Sequence, residues 1–356
     1  VEGWPSGPCI EGQSAVLMDA VTDTILYSKN ADDKLYPASI TKIMTALLAC
    51  ENLKMNDTIT MSQEAAYGIE AGSSTIYAET DEVFTVEQAL MALMLESANE
   101  MALALAEKTS GSVKKFVELM NQRAAQLGCK NTHFNNPNGL PDETHYTTAS
   151  DMMKIAKAAW YNPLFRKFVT TQTYEIPPTN KQSETRYLLN HHKMMAGQSY
   201  AYDGVLGGKT GYTNDAGNTL VTYAKRGNSI LIAVVLNSTN GAFPDTTSLF
   251  DYGFDNFEKV DLNVDSDPVP TKFLPSEKYL LKNNGNTYPF YYMRHVYVTV
   301  PTGTDVSTLT RKQWLLNNSI GPKRIKSKYY FNDHMVGYGI QYEKEILSDL
   351  LLNTSF

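Results

Sequence analysis

At 356 residues, with 42% hydrophobic and 19% charged side chains, the chain is long enough for two domains and ordinary in composition for a globular protein. Its net charge of −7 argues against nucleic acid as a partner, because phosphate binding needs a basic face, and gives no support for an anionic lipid surface. No apolar run approaches the roughly 18 residues of a membrane span. The start, Val1-Glu2-Gly3-Trp4, has neither an initiator Met nor a hydrophobic signal region, which fits a trimmed exported chain. Cys9, Cys50 and Cys129 are odd in number and widely spaced, so neither a disulfide framework nor a zinc site is expected. Cys50 closes an apolar helical run and reads as a buried thiol.

In chain order, Ser14 to Ser28 reads as a hairpin, with apolar β-type runs on either side of a turn around Asp19 to Asp23. The run Ile40 to Ala49 has apolar residues on most sides, as a buried helix does. From about Ser62 to Tyr161 the pattern is helical over Val86 to Leu95, Glu100 to Lys108, Val113 to Leu127 and Ala149 to Ala159. Thr85 with Gln88 makes a capping-box start, and Gly128 after Leu127 a C-terminal stop. A Pro/Asn/Gly-rich loop lies between Phe134 and Tyr146. Strand signals return from Val205, with Thr219 to Ala224 and Ile230 to Asn237 separated by the turn Lys225-Arg226-Gly227-Asn228. A short helix is expected from Asp245 to Phe257. This order predicts an α/β fold in which both ends of the chain complete one antiparallel sheet, helices pack on it, and an all-α region is inserted. After Lys259 the character shifts. Val264 to Pro275 is proline-rich, and Tyr/Val/Thr-rich stretches with turn residues such as Asn283-Asn284-Gly285-Asn286 follow. The expected domains are therefore 10–259 and a small β-rich module at 260–356.

Three short patterns carry chemistry. In Ser39-Ile40-Thr41-Lys42, serine and lysine three apart share a helical face, so the Lys42 amine can reach the Ser39 hydroxyl. In a dry pocket near another cation, that amine would have a lowered pKa and could take the serine proton. A helix N-terminus also offers free N–H groups to a developing oxyanion. The ordinary alternative is a serine cap beside a solvated lysine. In Ser97-Ala98-Asn99, between two helices, either polar side chain could be a cap. In a cleft, Ser97 could instead relay a proton and Asn99 could bind a substrate amide and Lys42. In Lys209-Thr210-Gly211, preceded by Gly207-Gly208, a glycine-rich strand lets a peptide lie alongside as an added strand. There Lys209 offers charge to a substrate carboxylate and Thr210 a hydroxyl. The Tyr212 N–H would be a second oxyanion donor beside that of Ser39. A tight turn on an edge strand is the plain alternative.

Occurring in this order, the three patterns resemble the Ser-x-x-Lys, Ser-x-Asn and Lys-Thr-Gly signature of penicillin-binding proteins and β-lactamases. The surroundings extend the likeness. Leu35 to Leu47, Glu96 to Ala102 (with Ala98 where glycine is usual), Phe134 to Asp151 and Gly208 to Gly217 resemble low-molecular-mass penicillin-binding D-alanyl-D-alanine carboxypeptidases. The resemblance covers about Ser14 to Phe257. It implies a β-lactamase/transpeptidase-like fold with a C-terminal β module. It also implies removal of the terminal D-alanine from peptidoglycan stem peptides through an acyl-Ser39 ester, with β-lactams as covalent inhibitors. No cofactor or metal is implied. The expected setting is the wall side of a bacterial membrane, and a membrane anchor could follow Phe356. In the family a basic residue upstream of the third motif helps hold the substrate carboxylate; here that stretch reads Leu189-Asn190-His191-His192-Lys193, and the histidine pair reads as loop or surface rather than metal site. Two rivals remain at this level. A β-lactamase would need a deacylating glutamate, and Glu70, Glu79 and Glu82 sit in no such context. An idle wall-binding scaffold would have no need of Ser39, Lys42 and Lys209 together.

Overall fold

The computed structural model describes residues 2–262, 290–292, 295–316 and 324–343. The chain divides into two compact units. The larger comprises Gly7–Met18 and Leu26–Tyr252, and the smaller Val1–Ser6, Asp19–Ile25 and the chain from Gly253 on.

The expected N-terminal hairpin is β1 (Ser14–Asp19) and β2 (Thr24–Lys29). Strands β7 (Val205–Thr213), β8 (Gly217–Arg226) and β9 (Ser229–Ser238) supply the rest of one sheet, in the order β2-β1-β9-β8-β7. The two chain ends thus meet where β1 pairs with β9, and β7 is left at an edge. Strands β8 and β9 are buried along most of their length, as their apolar, β-branched runs require. The turn closing them is centred on Gly227 at φ +54, a left-handed backbone that glycine adopts without a Cβ penalty.

Between the sheet's halves lie α1 (Lys42–Asn52), α2 (Gln63–Tyr67), α3 (Val86–Leu95), α4 (Asn99–Ser110), α5 (Val113–Gln126), α6 (Ala149–Tyr161) and α7 (Pro163–Val169). Helix α1 is buried from Lys42 through Cys50 and α3 at nearly every position, so both form the core of the helical region. The Thr85 capping box is present in full, and Gly128 follows α5 at φ +77. Strand β4 (Val83–Thr85) interrupts the expected all-helical stretch and pairs with β3 (Thr58–Thr60). Three-residue strands bonded across 25 positions leave too short an alternation to be visible in sequence. A second small pair, β5 (Thr173–Ile176) with β6 (Arg186–Leu189), precedes β7. Helix α8 (Ala242–Asn256) begins three residues before the expected Asp245.

In the smaller unit, β10 (Phe257–Asp261), β12 (Tyr297–Pro301), β15 (His334–Glu343), β14 (Arg324–Phe331) and β13 (Thr310–Leu316) run side by side, and β11 (Phe290–Tyr292) pairs with β15. Val296, Val298, Val300, Tyr329 and Val336 form its buried core, with Trp4 and Val260 packed against them. The proline-rich Val264 to Pro275, the turn Asn283 to Asn286 and the final residues to Phe356 lie outside the described residues. Among the described residues no helix is long and apolar enough to cross a membrane.

Candidate active site

The turn that carries Ser39 is a short 3-10 segment, Ala38–Thr41, leading directly into α1. Ala38 takes φ +51, an uncommon backbone for a residue with a Cβ. Three neighbours hold it there. Leu35 pairs through its backbone with Thr147. Thr219 on β8 donates its hydroxyl to the Pro37 carbonyl at 2.8 Å. Gly139, at φ +92, presses so closely that a Cβ there would stand 1.9 Å from the Ala38 carbonyl oxygen. Gly211 on β7 approaches from the sheet; a Cβ on it would lie 2.8 Å from the Ser39 nitrogen and 2.4 Å from Thr219 Oγ1. The glycines of the loop and of the third pattern are therefore steric requirements of this turn.

Lys42 is fully buried. Its Nζ donates to Ser39 Oγ at 2.9 Å, to Asn99 Oδ1 at 2.6 Å and to the Asn138 carbonyl at 2.8 Å. Burial, and then the neighbouring cation Lys209, hold this amine well below the usual lysine range, while Glu100 pulls weakly the other way. On losing a proton the amine keeps two hydrogens and gains one lone pair. Two of its three partners, the Asn99 amide oxygen and the Asn138 carbonyl, only accept, so in that form they take both hydrogens and the lone pair faces the Ser39 hydroxyl.

Ser97 stands just before α4 with φ +59, and Ala98, at φ −57, is the helix N-cap without a side-chain cap. The capping explanation for Ser97 and Asn99 is thus replaced. Asn99 faces Lys42, and Ser97 Oγ accepts from Lys209 Nζ at 3.1 Å. Lys209, 2% exposed, also donates to the Thr210 carbonyl at 2.9 Å. Burial lowers its pKa to about 7. The two buried lysines are therefore linked to two polar side chains of one interhelical turn.

A cleft of about 690 Å³ opens over this cluster, with Ser39, Ser97, Asn99, Thr210, Gly211 and Tyr212 on its walls. All eight sequence-predicted residues thus meet: those six line the cleft, Lys42 is bonded to Ser39 and Lys209 to Ser97. The exposed edge of β7 runs along the cleft, with Tyr212 63% exposed.

The adjacent histidines separate. His191 is exposed on the cleft rim, its Nε2 3.0 Å from Glu96 Oε2. His192 is buried flat over Gly208, where a Cβ would meet its ring at 2.7 Å. Its Nε2 contacts Thr222 Oγ1 at 2.8 Å, and burial lowers its pKa to about 3. Neither contributes to a group able to hold a metal, and no such group of three ligating side chains occurs among the described residues. Of the three carboxylates considered for deacylation, Glu82 is buried and paired with Arg186 at 2.7 Å. Glu70 is exposed on the cleft wall.

Sequence reasoning overlooked the Asn138 carbonyl, Gly139, Thr219 and His145. His145, buried, accepts the Asn135 N–H at Nδ1 and so presents Nε2–H to Thr41 Oγ1 at 2.9 Å. A backbone carbonyl has no sequence signal of its own. The loop's run of Asn, Pro and Gly marked a special backbone without saying what it touched.

The chain matches the D-alanyl-D-alanine carboxypeptidase family over residues 3–240. It is 39% identical over 255 residues to the D-alanyl-D-alanine carboxypeptidase DacF of Bacillus subtilis, an alignment covering 70% of this chain and 63% of that protein. It is 35% identical to a D-alanyl-D-alanine carboxypeptidase of Streptomyces sp. K15, covering 69% and 88%. The chain thus spans less than two thirds of the Bacillus relative's length. Among solved structures, penicillin binding protein 5 from Haemophilus influenzae superposes with a TM-score of 0.78 at 26% identity, covering 95% of this chain and 98% of that one. The Streptomyces K15 DD-transpeptidase superposes with a TM-score of 0.66 at 33% identity, covering 70% and 100%. With more than half of the chain matched and the three patterns folded into one cleft, the chain belongs to the D-alanyl-D-alanine carboxypeptidase family.

Proposed function

We propose that the protein is a serine D-Ala-D-Ala carboxypeptidase that acylates Ser39. The observation that carries this reading is the set of partners around Lys42 Nζ, which stands 2.9 Å from Ser39 Oγ while the Asn99 amide oxygen and the Asn138 carbonyl occupy its other sides, so that on deprotonation its lone pair faces Ser39 Oγ. Ser39 Oγ attacks the carbonyl carbon of the penultimate D-alanine as its proton passes to Lys42. The oxyanion sits between the N–H groups of Ser39 and Tyr212, stabilised where its charge develops. Collapse breaks the C–N bond, and the departing amine takes a proton through Ser97. Water then attacks the ester and restores Ser39. Asn99 binds the substrate amide, while Lys209 and Thr210 receive the terminal carboxylate. Gly211 lets the peptide lie along β7 as an added strand.

The partners are stem peptides ending in D-Ala-D-Ala and β-lactams, which acylate the same hydroxyl. The site of action is the wall side of a bacterial membrane. The test is intact mass after incubation with penicillin, alongside D-alanine release from a D-Ala-D-Ala peptide. Wild type gains one adduct on the peptide carrying Ser39, and Ser39→Ala gains none. A full adduct on Ser39→Ala would remove Ser39 as nucleophile. Peptide binding without D-alanine release by wild type would favour a scaffold.

A further inference from the structure

Two tyrosines next to the cleft have no part in the chemistry above. Tyr67, at the end of α2, is 66% exposed, and Tyr77, on the loop that follows, is 81% exposed. Both line a cavity of about 410 Å³. It shares Glu70, Ala71, Gly72 and Ser73 with the cleft in front of Ser39, so this loop borders both spaces.

Tyr77 is held more firmly than its exposure warrants. Its φ is +58, a left-handed backbone that is an outlier for a bulky residue and marks a place to look for function. Its N–H donates to Thr75 Oγ1 at 2.8 Å, and that hydroxyl donates to Glu100 Oε1 at 2.6 Å. The Ile76 N–H donates to the same carboxylate oxygen at 2.7 Å. From the other side Arg186 donates through Nε to the Ile76 carbonyl and through Nη2 to that of Tyr77, at 3.1 and 3.4 Å. Arg186 is itself fixed by buried Glu82. Two buried carboxylates and an arginine thus fix the backbone of a side chain that buries little surface of its own. A ring displayed in this way is positioned to contact an external partner.

The carboxypeptidase reading supplies that partner, and the inference rests on it: a stem peptide in the wall hangs from a chain of amino sugars. We propose that Tyr67 and Tyr77 form a stacking shelf for the amino sugars to which the stem peptide is attached. Sugar rings present C–H faces to flat aromatic surfaces. The lining carboxylates Glu70 and Glu79 can accept from hydroxyl and acetamido N–H groups. The same carboxylates disfavour a polyanionic chain in this cavity.

The test compares kcat/KM on a disaccharide-linked pentapeptide with kcat/KM on the same pentapeptide free. Wild type favours the linked substrate. Tyr77→Asn removes the ring but tolerates the left-handed backbone, and Tyr67→Ala removes the other. Each lowers the linked-to-free ratio about fivefold, through KM, the effect expected for losing one aromatic stacking contact. Tyr77→Phe keeps the ratio. A wild-type ratio of one, or a ratio unchanged in both ring-removing variants, overturns the shelf. If wild type releases D-alanine from neither substrate, the carboxypeptidase reading itself has failed. The shelf is then judged by titrating peptide-free glycan chains into Ser39→Ala protein by NMR. Saturable binding that Tyr77→Asn abolishes supports it, and absence of binding refutes it.

Discussion

Replacing Gly211 by alanine inserts one methyl group between the sheet and the nucleophile turn. The new Cβ would stand 2.4 Å from Thr219 Oγ1, 2.8 Å from the Ser39 nitrogen and 3.1 Å from the Ala38 Cβ. Ordinary contact for such a carbon begins near 3.4 Å, so the Ser39 nitrogen must retreat from β7 by about 0.6 Å, and Thr219 Oγ1 on β8, which braces the turn, by about 1.0 Å. Thr219 cannot simply rotate away, because its hydroxyl is bonded to the Pro37 carbonyl at 2.8 Å. The separation therefore falls between the N–H of Ser39 and the strand that carries the N–H of Tyr212, the two donors meant for one oxygen. Misplacement of about 1 Å costs on the order of 10²-fold in rate. The strand itself tolerates alanine better than glycine, so folding should survive. The assay is the second-order acylation rate with a fluorescent penicillin, with a thermal melt run in parallel. We expect acylation to fall about 100-fold while the melt shifts by only a few degrees. Acylation within about threefold of wild type in a folded variant would refute the claim that Gly211 packing sets the oxyanion geometry.

Lys209 should make recognition of free-carboxylate substrates pH dependent. Its amine, lowered to about 7 by burial, is charged below that pH and neutral above it. kcat/KM for a D-Ala-terminated peptide should then fall as pH rises past about 7, while that for an ester lacking the carboxylate stays flatter. Lys209→Ala should erase the difference, and an equal loss on both substrates would contradict the role. Arg186→Met leaves Glu82 buried without its cation and should cost about 3 kcal/mol by denaturant titration. Adding Glu82→Gln should recover most of it, and a single variant as stable as wild type would show the pair to be idle. His145 has its pKa lowered to about 4, chiefly by burial, against 6.5 unfolded. The unfolded chain binds the proton first, so stability is intact above 6.5 and is lost as pH falls toward 4. About 3 kcal/mol is at stake over that window, and His145→Gln should flatten the melting curve against pH there. An unchanged slope would mean that other groups carry the acid sensitivity.

Local signals in the sequence were reliable wherever the physics is local. The Thr85–Gln88 capping box, the Gly128 stop and the Lys225–Asn228 turn each act within a few residues and appear where expected. The three short patterns proposed to carry the chemistry were legible for the same reason, since Ser39 and Lys42 share one helical turn. What escaped was set by partners far along the chain. The Asn138 carbonyl meets Lys42 across 96 positions and Thr219 meets Pro37 across 182. Glu82 and Arg186 are 104 apart, and neither residue alone advertises the other. The pairing of β3 with β4 joins two strands too short to alternate visibly. Ser97 shows a different failure: its residue type suggests a cap, whereas it takes a left-handed backbone before α4 and accepts from Lys209.

The meeting of β1 with β9 makes the reactive centre a latecomer in the life of the chain. Hydroxyl and amine are encoded within the first 42 positions, yet the turn that orients them leans on Thr219, and β9 ends only at Ser238. A polypeptide cut short of that point has the Ser39 hydroxyl and the Lys42 amine but lacks the strands that brace the turn between them.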